Sequence, residues 1–123
     1  MIKAQKSILV VEDESDILMS LRDFLESEGY HVLTAENGRE ALKILQNSKI
    51  PNLILLDMKM PVMNGWEFAN EFHNQHGEMS PIMVITAAAD AQKRADDIHA
   101  NGWLEKPFGL EALLEKVKMH ESH

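Results

Sequence analysis

The chain of 123 residues contains no cysteine, so neither disulfides nor a thiolate zinc site can hold it together. It also lacks any apolar run approaching the ~18 residues of a membrane-spanning helix. A chain of this length buries roughly two thirds of its unfolded surface, which is enough for a core without covalent staples. These absences predict a soluble cytoplasmic protein that folds as one domain, residues 1–123, with its core at about 6–120.

Positive charge is also scarce. Twelve lysine and arginine residues stand against twenty aspartate and glutamate residues, which gives a formal net charge of −8. Binding of nucleic acid requires a basic face that can neutralise phosphates, and the sequence shows none. We therefore expect no direct contact with nucleic acid or with a membrane.

Five short apolar stretches alternate with five stretches of helical periodicity. The apolar stretches lie at residues 7–11, 31–35, 53–56, 82–85 and 103–104, and helices are predicted to begin near residues 15, 38, 65, 90 and 110. Such alternation predicts an α/β protein with a parallel sheet covered by helices on both faces. Right-handed crossovers favour a doubly wound, flavodoxin-like (βα)5 topology with strand order 2-1-3-4-5.

The last two predicted helices differ in what they can bury. The fourth, at about 90–100, offers mainly alanines and should be weakly packed. The last, at about 110–119, is expected to turn the following residues inward: Leu110, Leu113, Leu114 and Val117.

Asp57 ends the most apolar stretch of the chain. Four aliphatic residues precede it, as expected of a strand buried on both faces, and Pro61 prevents the strand from continuing. In open α/β sheets, chemistry gathers at the carboxyl ends of the strands. Taken alone, however, this aspartate is equally well explained as the N-cap of a helix.

The other strand ends carry matching chemistry. Glu12 and Asp13 follow the first strand, Thr86 ends the fourth, and Lys106 follows the fifth. In the order 2-1-3-4-5 the first, third and fourth strands are neighbours, so three carboxylates should converge. Two such charges about 5 Å apart repel by roughly 3 kcal/mol at an effective dielectric constant near 20. Lys106 offsets one charge, and Mg²⁺ is the cation that fits the remaining two.

A carboxylate, a hydroxyl, an amine and Mg²⁺ around one point indicate phosphoryl transfer. Asp57 would be the nucleophile and would form an aspartyl phosphate. Lys106 and the metal would hold the phosphoryl oxygens, and Thr86 would donate a hydrogen bond to them.

The motifs now identify a family. They are ILVVEDE at 8–14, LLDMKMPVMNG at 55–65, ITA at 85–87 and LEKPF at 104–108. In this order they closely resemble the response-regulator receiver domain of bacterial two-component signalling, as in chemotaxis regulators. The resemblance covers nearly the whole chain. It implies that Asp57 is the phosphoacceptor, loaded by a sensor histidine kinase or a phosphotransfer protein.

The resemblance also implies residue roles that the strand pattern does not give. Mg²⁺ would be held by Glu12, Asp13, Asp57 and the backbone carbonyl of Lys59, and no other cofactor is expected. Thr86 and Trp103 would occupy the two switch positions, and the peptide bond between Lys106 and Pro107 would be cis. A downstream protein would bind the surface formed by the fourth helix, fifth strand and fifth helix. The protein would be a monomer or a weak, phosphorylation-dependent dimer.

Two departures from the family pattern concern the output side. Trp103 stands where tyrosine or phenylalanine is usual, so a larger ring would move. The Ala-Asn-Gly sequence at 100–102 replaces Ala-Gly-Ala, which is expected to shift the left-handed turn by one residue.

Two other functions fit these residues less well than a phospho-switch. A haloacid-dehalogenase-like phosphatase also uses an aspartate after a strand, but it needs a second aspartate where this chain has Lys59. A flavodoxin-like nucleotide carrier needs a phosphate-binding loop after the first strand, where the acids at 12–14 would repel phosphate. We therefore expect a signalling switch, not a turnover enzyme. It would be either a stand-alone regulator or a receiver module of a longer protein.

Overall fold

The sheet has the predicted topology. A computed structural model describes residues 5–86 and 91–121, and in that part of the chain five parallel strands lie in the order β2-β1-β3-β4-β5. The strands are β1 (Ser7–Val11), β2 (His31–Ala35), β3 (Leu53–Asp57), β4 (Ile82–Thr86) and β5 (Gly102–Glu105). The helices are α1 (Ser15–Ser27), α2 (Gly38–Asn47), α3 (Gly65–His76), α4 (Ala91–Asp97) and α5 (Leu110–His120). The doubly wound fold class is confirmed.

Two apolar layers cover the two faces of the sheet. One layer packs alternate strand residues against α2, α3 and α4, and the other packs the intervening residues against α1 and α5. Every residue of β3 is buried, as expected of a central parallel strand covered on both sides. Among the described residues, no helix has the length and apolar character needed to cross a membrane.

The fourth helix ends earlier than the sequence predicts. Helix α4 stops at Asp97 because His99 adopts a left-handed conformation with φ 54°, and the N–H of Ala100 donates to the carbonyl of Ala95 at 2.8 Å. This is the hydrogen-bond pattern of a helix closed by a left-handed residue. The expected left-handed turn therefore lies at His99, and Gly102 belongs to β5. Residues 87 and 90, which the predicted motif and helix include, lie outside the described residues.

Gly102 is required for a different reason. A β-carbon at this position would lie 2.5 Å from Nε2 of His120, so the absence of a side chain lets α5 approach β5 closely. The prediction that Leu110 faces the core is wrong, because this side chain is 44% exposed at the start of α5. Leu113 and Val117 are fully buried, and Leu114 packs partly against them.

Helix α3 begins directly against the end of β3. The side chain of Asn64 accepts from the N–H of Glu67, and the Glu67 side chain accepts from the N–H of Asn64, which forms a capping box. The next residue, Gly65, donates its N–H to the carbonyl of Met58 at 3.0 Å. A β-carbon on Gly65 would lie 2.8 Å from the Met58 Cα and 3.0 Å from the Asp57 carbonyl oxygen. This contact fixes the loop that follows Asp57.

We expect Gly65→Ala to destabilise the fold by about 1–3 kcal/mol, because backbone atoms must move to admit the methyl group. At an open helix position the same change would stabilise by up to about 1 kcal/mol, so the sign is informative. Urea unfolding followed by circular dichroism gives the free energy. Gly109→Ala is the control, because nothing lies within 4 Å of its β-carbon. Equal or smaller destabilisation by Gly65→Ala would contradict the close contact.

Candidate functional site

Three carboxylates meet at the carboxyl edge of the sheet. One oxygen from each of Glu12, Asp13 and Asp57 lies within 4.8 Å of the others. Glu12 is fully buried and Asp57 is 5% exposed, whereas Asp13 faces solvent. The structure therefore brings together the acids that the sequence assigned to this edge, with two of the three charges out of water.

Lys106 is the cation beside this cluster. Its Nζ lies 2.5 Å from Oε1 of Glu12 and 3.8 Å from Oδ2 of Asp57. The Lys106 N–H donates to the carbonyl of Thr86 at 2.7 Å, and the peptide bond to Pro107 is cis, as predicted. The ammonium thus pairs mainly with Glu12, and three carboxylates with one ammonium leave two formal negative charges.

The electrostatics of Asp57 reflect this surplus. Burial raises the pKa of Asp57 from its ordinary 3.8 to about 7, with the Glu12 carboxylate as the next cause. Lys106 and the backbone N–H of Lys59 lower the pKa of Asp57 but do not outweigh these effects. The second oxygen of Glu12 accepts from the N–H of Glu14 at 3.2 Å. A buried acid with a pKa this high marks a position at which cationic charge is in deficit.

Thr86 and Trp103 lie on one face of the sheet. Thr86 is 1% exposed at the end of β4. Trp103 pairs in register with Val84, two residues before Thr86, so both side chains start on the face covered by α4. The Trp103 ring is turned outward and is 37% exposed, and Nζ of Lys116 in α5 lies 5.4 Å from its centroid.

A depression opens beside the acids. It has a volume of about 450 Å³ and is lined by Asp13, by residues 58–61 of the loop after β3, and by Asn64 and Trp66. It is open to solvent and large enough to admit a reacting group to the acids. The side chain of Lys59 is exposed, and the role predicted for its backbone carbonyl stays a prediction.

Two contacts near the site were not predicted from the sequence. Arg94 of α4 lies over the ring of Trp66 in α3, 5.1 Å from its centroid. Lys116 lies over Trp103. Each contact joins residues that are far apart in the chain, so no local sequence pattern predicts it.

The raised pKa of Asp57 predicts a pH dependence of stability in metal-free protein. The folded state holds the proton more tightly than the unfolded chain, so this group stabilises the fold below about pH 4 and loses that contribution as the pH rises to about 7. Above pH 7, Asp57→Asn should therefore stabilise the metal-free fold by about 1–4 kcal/mol. Urea unfolding in EDTA at pH 5 and pH 8 measures this.

Asp23→Asn, at an exposed acid on α1, is the matched control and should leave stability and its pH dependence nearly unchanged. A loss of stability in Asp57→Asn at pH 8 would show that the carboxylates are not in electrostatic conflict.

Comparison with known proteins places this geometry in a family. A sequence model described as "Response regulator receiver domain" matches residues 8–118. The chain is 36% identical over 114 residues to response regulator RR06 of Streptococcus pneumoniae, covering 91% of this chain and 51% of that protein. It is 37% identical over 116 residues to the transcriptional regulatory protein CrdR of Helicobacter pylori, with coverages of 93% and 54%. The chain thus spans about half the length of the curated relatives it matches.

Solved structures agree with this result. The chemotaxis protein CheY4 of Vibrio cholerae superposes with a TM-score of 0.86 at 33% identity, covering 95% of this chain and 99% of that one. The response regulator TrrA of Thermotoga maritima, solved in complex with Mg²⁺ and BeF, gives 0.83 at 36% identity, with coverages of 94% and 98%. Sequence and structure agree along nearly the full chain, which belongs to the receiver domain family of two-component response regulators.

Proposed function

We propose that Asp57 accepts a phosphoryl group from a sensor histidine kinase or phosphotransfer protein and that the aspartyl phosphate controls binding of a downstream protein. The observation that carries this proposal is the buried Asp57 beside Glu12, Asp13 and Lys106. Such an arrangement offers a nucleophilic oxygen and a cation for the phosphoryl group at one point. Membership of the receiver family also supports the proposal that Asp57 is the phosphoacceptor.

The transfer needs an ionised nucleophile. An Asp57 oxygen attacks phosphorus, the bond from phosphorus to the donor nitrogen breaks, and its electron pair stays on the donor imidazole. Burial and the Glu12 charge raise the pKa of Asp57 and disfavour this ionised form, so nearby cationic charge would favour the nucleophile. The Lys106 ammonium, 3.8 Å from Oδ2 of Asp57, is near enough to shift towards the transferred oxygens.

The donor set fits Mg²⁺. Three carboxylates, two of them buried, surround a point where the protein supplies only one ammonium among the residues described. We propose that Glu12, Asp13, Asp57 and the carbonyl of Lys59 hold Mg²⁺, which when bound supplies positive charge to the phosphoryl oxygens. The similar TrrA was solved with Mg²⁺ and BeF, which supports this assignment.

The chain acts as a switch in this proposal and not as a turnover enzyme. A haloacid-dehalogenase-like phosphatase needs an acid two residues after its nucleophile, where this chain carries Lys59. We propose one receiver domain over residues 1–123, acting as a monomer or a weak phosphorylation-dependent dimer. Because the matched relatives are about twice as long, the alternative that it serves as the receiver module of a longer regulator stays open.

We place the partner surface on α4, β5 and α5. Helix α4 buries only Ala91 and Ala95 within its bounds, so a shift of this helix breaks few contacts. If Thr86 turns towards the phosphoryl group, Trp103 can rotate inward on the same face of the sheet. The rotation would remodel the surface beside α4 and change its fit to a protein partner.

Labelling tests the acceptor. Protein incubated with acetyl phosphate and Mg²⁺ should gain one phosphoryl group, measured by intact-mass spectrometry, because Asp57 has both room and charge for it. Asp57→Asn should reduce labelling at least tenfold while retaining the fold, and EDTA should do the same to the parent. Asp23→Asn is the control and should label normally. Stoichiometric, base-labile label in Asp57→Asn would overturn the proposal.

Fluorescence tests the switch. Beryllofluoride with Mg²⁺, standing in for the phosphoryl group, should change the emission of a Trp66→Phe variant because Trp103 leaves solvent. Thr86→Ala should weaken the change, and Asp57→Asn should abolish it. A full response in the Thr86→Ala variant would remove Thr86 from the switch.

The opposite variant, Trp103→Phe, reports on α4 through the contact between Trp66 and Arg94. A response in both variants therefore fits the proposal. A response confined to Trp66 would show that α4 moves without Trp103.

A further inference from the structure

The contact between Lys116 and Trp103 crosses the open edge of the sheet. Trp103 lies on the edge strand β5 and starts on the face covered by α4, in register with Val84. Lys116 belongs to α5, which packs on the opposite face through Leu113 and Val117. Even so, its Nζ lies 5.4 Å from the centroid of the Trp103 ring. The outward position of the ring is the one that permits this contact.

Helix α5 fixes Lys116 in this place. The His120 ring, one helical turn further on, lies against the backbone of Gly102, the residue before Trp103. Val117 is fully buried beneath the same stretch of helix. Lys116 itself is half-buried, so its stem is packed while its ammonium reaches the ring. Lys116 and His120, one helical turn apart on α5, thus contact the consecutive β5 residues Trp103 and Gly102.

Resting on the proposed function, we propose that Lys116 is a positioning residue that holds Trp103 outward and biases the switch towards its resting state. Inward rotation carries the ring towards Thr86, on the far side of the sheet edge from α5, and breaks the contact with the ammonium. A cation over an indole face at a partly exposed site shifts a two-state equilibrium by about two- to fivefold. To turn the ring inward, the phosphoryl group must overcome this bias of about two- to fivefold by binding more tightly to the inward state than to the outward state.

The test uses Trp66→Phe as the background, so that Trp103 is the remaining tryptophan. Acrylamide quenching of Trp103 is first measured in the ligand-free protein. Beryllofluoride is then titrated at pH 8 in the presence of saturating Mg²⁺. Burial and then the charge of Lys116 lower the pKa of His120 from its ordinary 6.5. Because pH 8 lies above that ordinary value, His120 stays neutral even in the variant that lacks the Lys116 charge. Lys116→Met keeps the length of the side chain and removes the charge.

We expect Lys116→Met to lower the beryllofluoride midpoint by about two- to fivefold and to reduce quenching of the ligand-free protein, because more rings are already inward. Lys116→Arg should restore both values. Lys118→Met removes the same charge from an exposed position on α5 and should match the background. An unchanged or higher midpoint with unchanged quenching in Lys116→Met, or an equal shift in Lys118→Met, would overturn the proposal.

Failure of the proposed function gives a different result. If the Trp66→Phe background does not respond to beryllofluoride, Trp103 takes no part in the proposed phosphoryl switch, and if the Trp103→Phe variant does not respond either, the phosphoryl switch itself is wrong. The quenching comparison in ligand-free protein then still decides the role of Lys116. Unchanged quenching in Lys116→Met would show that the ammonium does not hold the ring outward.

Discussion

The unbalanced charge at the end of β1 and β3 is the constraint on which the rest of the structure depends. Glu12 and Asp57 are carried to one point by buried parallel strands, and Lys106, delivered from β5, reaches Glu12 more closely than Asp57. Every residue of β3 is buried, and the pairing of β1 with β3 places Glu12 beside Asp57. Burial and then the charge of Glu12 raise the pKa of Asp57 at this point. Binding of a cation at this site would therefore reduce the repulsion among the carboxylates.

The sheet also separates the chemistry from its readout. Lys106 and Thr86 are joined through the backbone, since the Lys106 N–H donates to the Thr86 carbonyl. Trp103 lies three residues earlier on the same edge strand. In the proposed switch, a change at the acids would be passed along the paired strands β4 and β5 to α4, which buries only Ala91 and Ala95 within its bounds. Helix α4 packs there through alanines and through the contact between Arg94 and Trp66, and the chain leaves the helix by a left-handed turn at His99.

Local patterns predicted the fold and the acids because both depend on short-range features. Alternating strands and helices require a parallel sheet, and strand order then brings Glu12, Asp13 and Asp57 together. What local patterns missed depends on tertiary contacts. Glycine is the usual left-handed residue, yet His99 adopts that conformation, whereas Gly102 lies in β5 where His120 approaches its backbone. Leu110 fits the apolar spacing of α5, but it lies at the first turn, outside the covered part of the helix.

The two cation–ring contacts differ in what they oppose. Arg94 and Trp66 join α4 to α3 on one face of the sheet, so this contact resists displacement of the helix. Lys116 and Trp103 join α5 to the edge strand, so this contact resists rotation of the ring. If helix and ring move together, both contacts weaken in the same step, and each adds a small factor to the resting state. In the proposed switch, these two charged contacts would thus favour the resting state from both faces of the sheet, although α4 itself buries only alanines within its bounds.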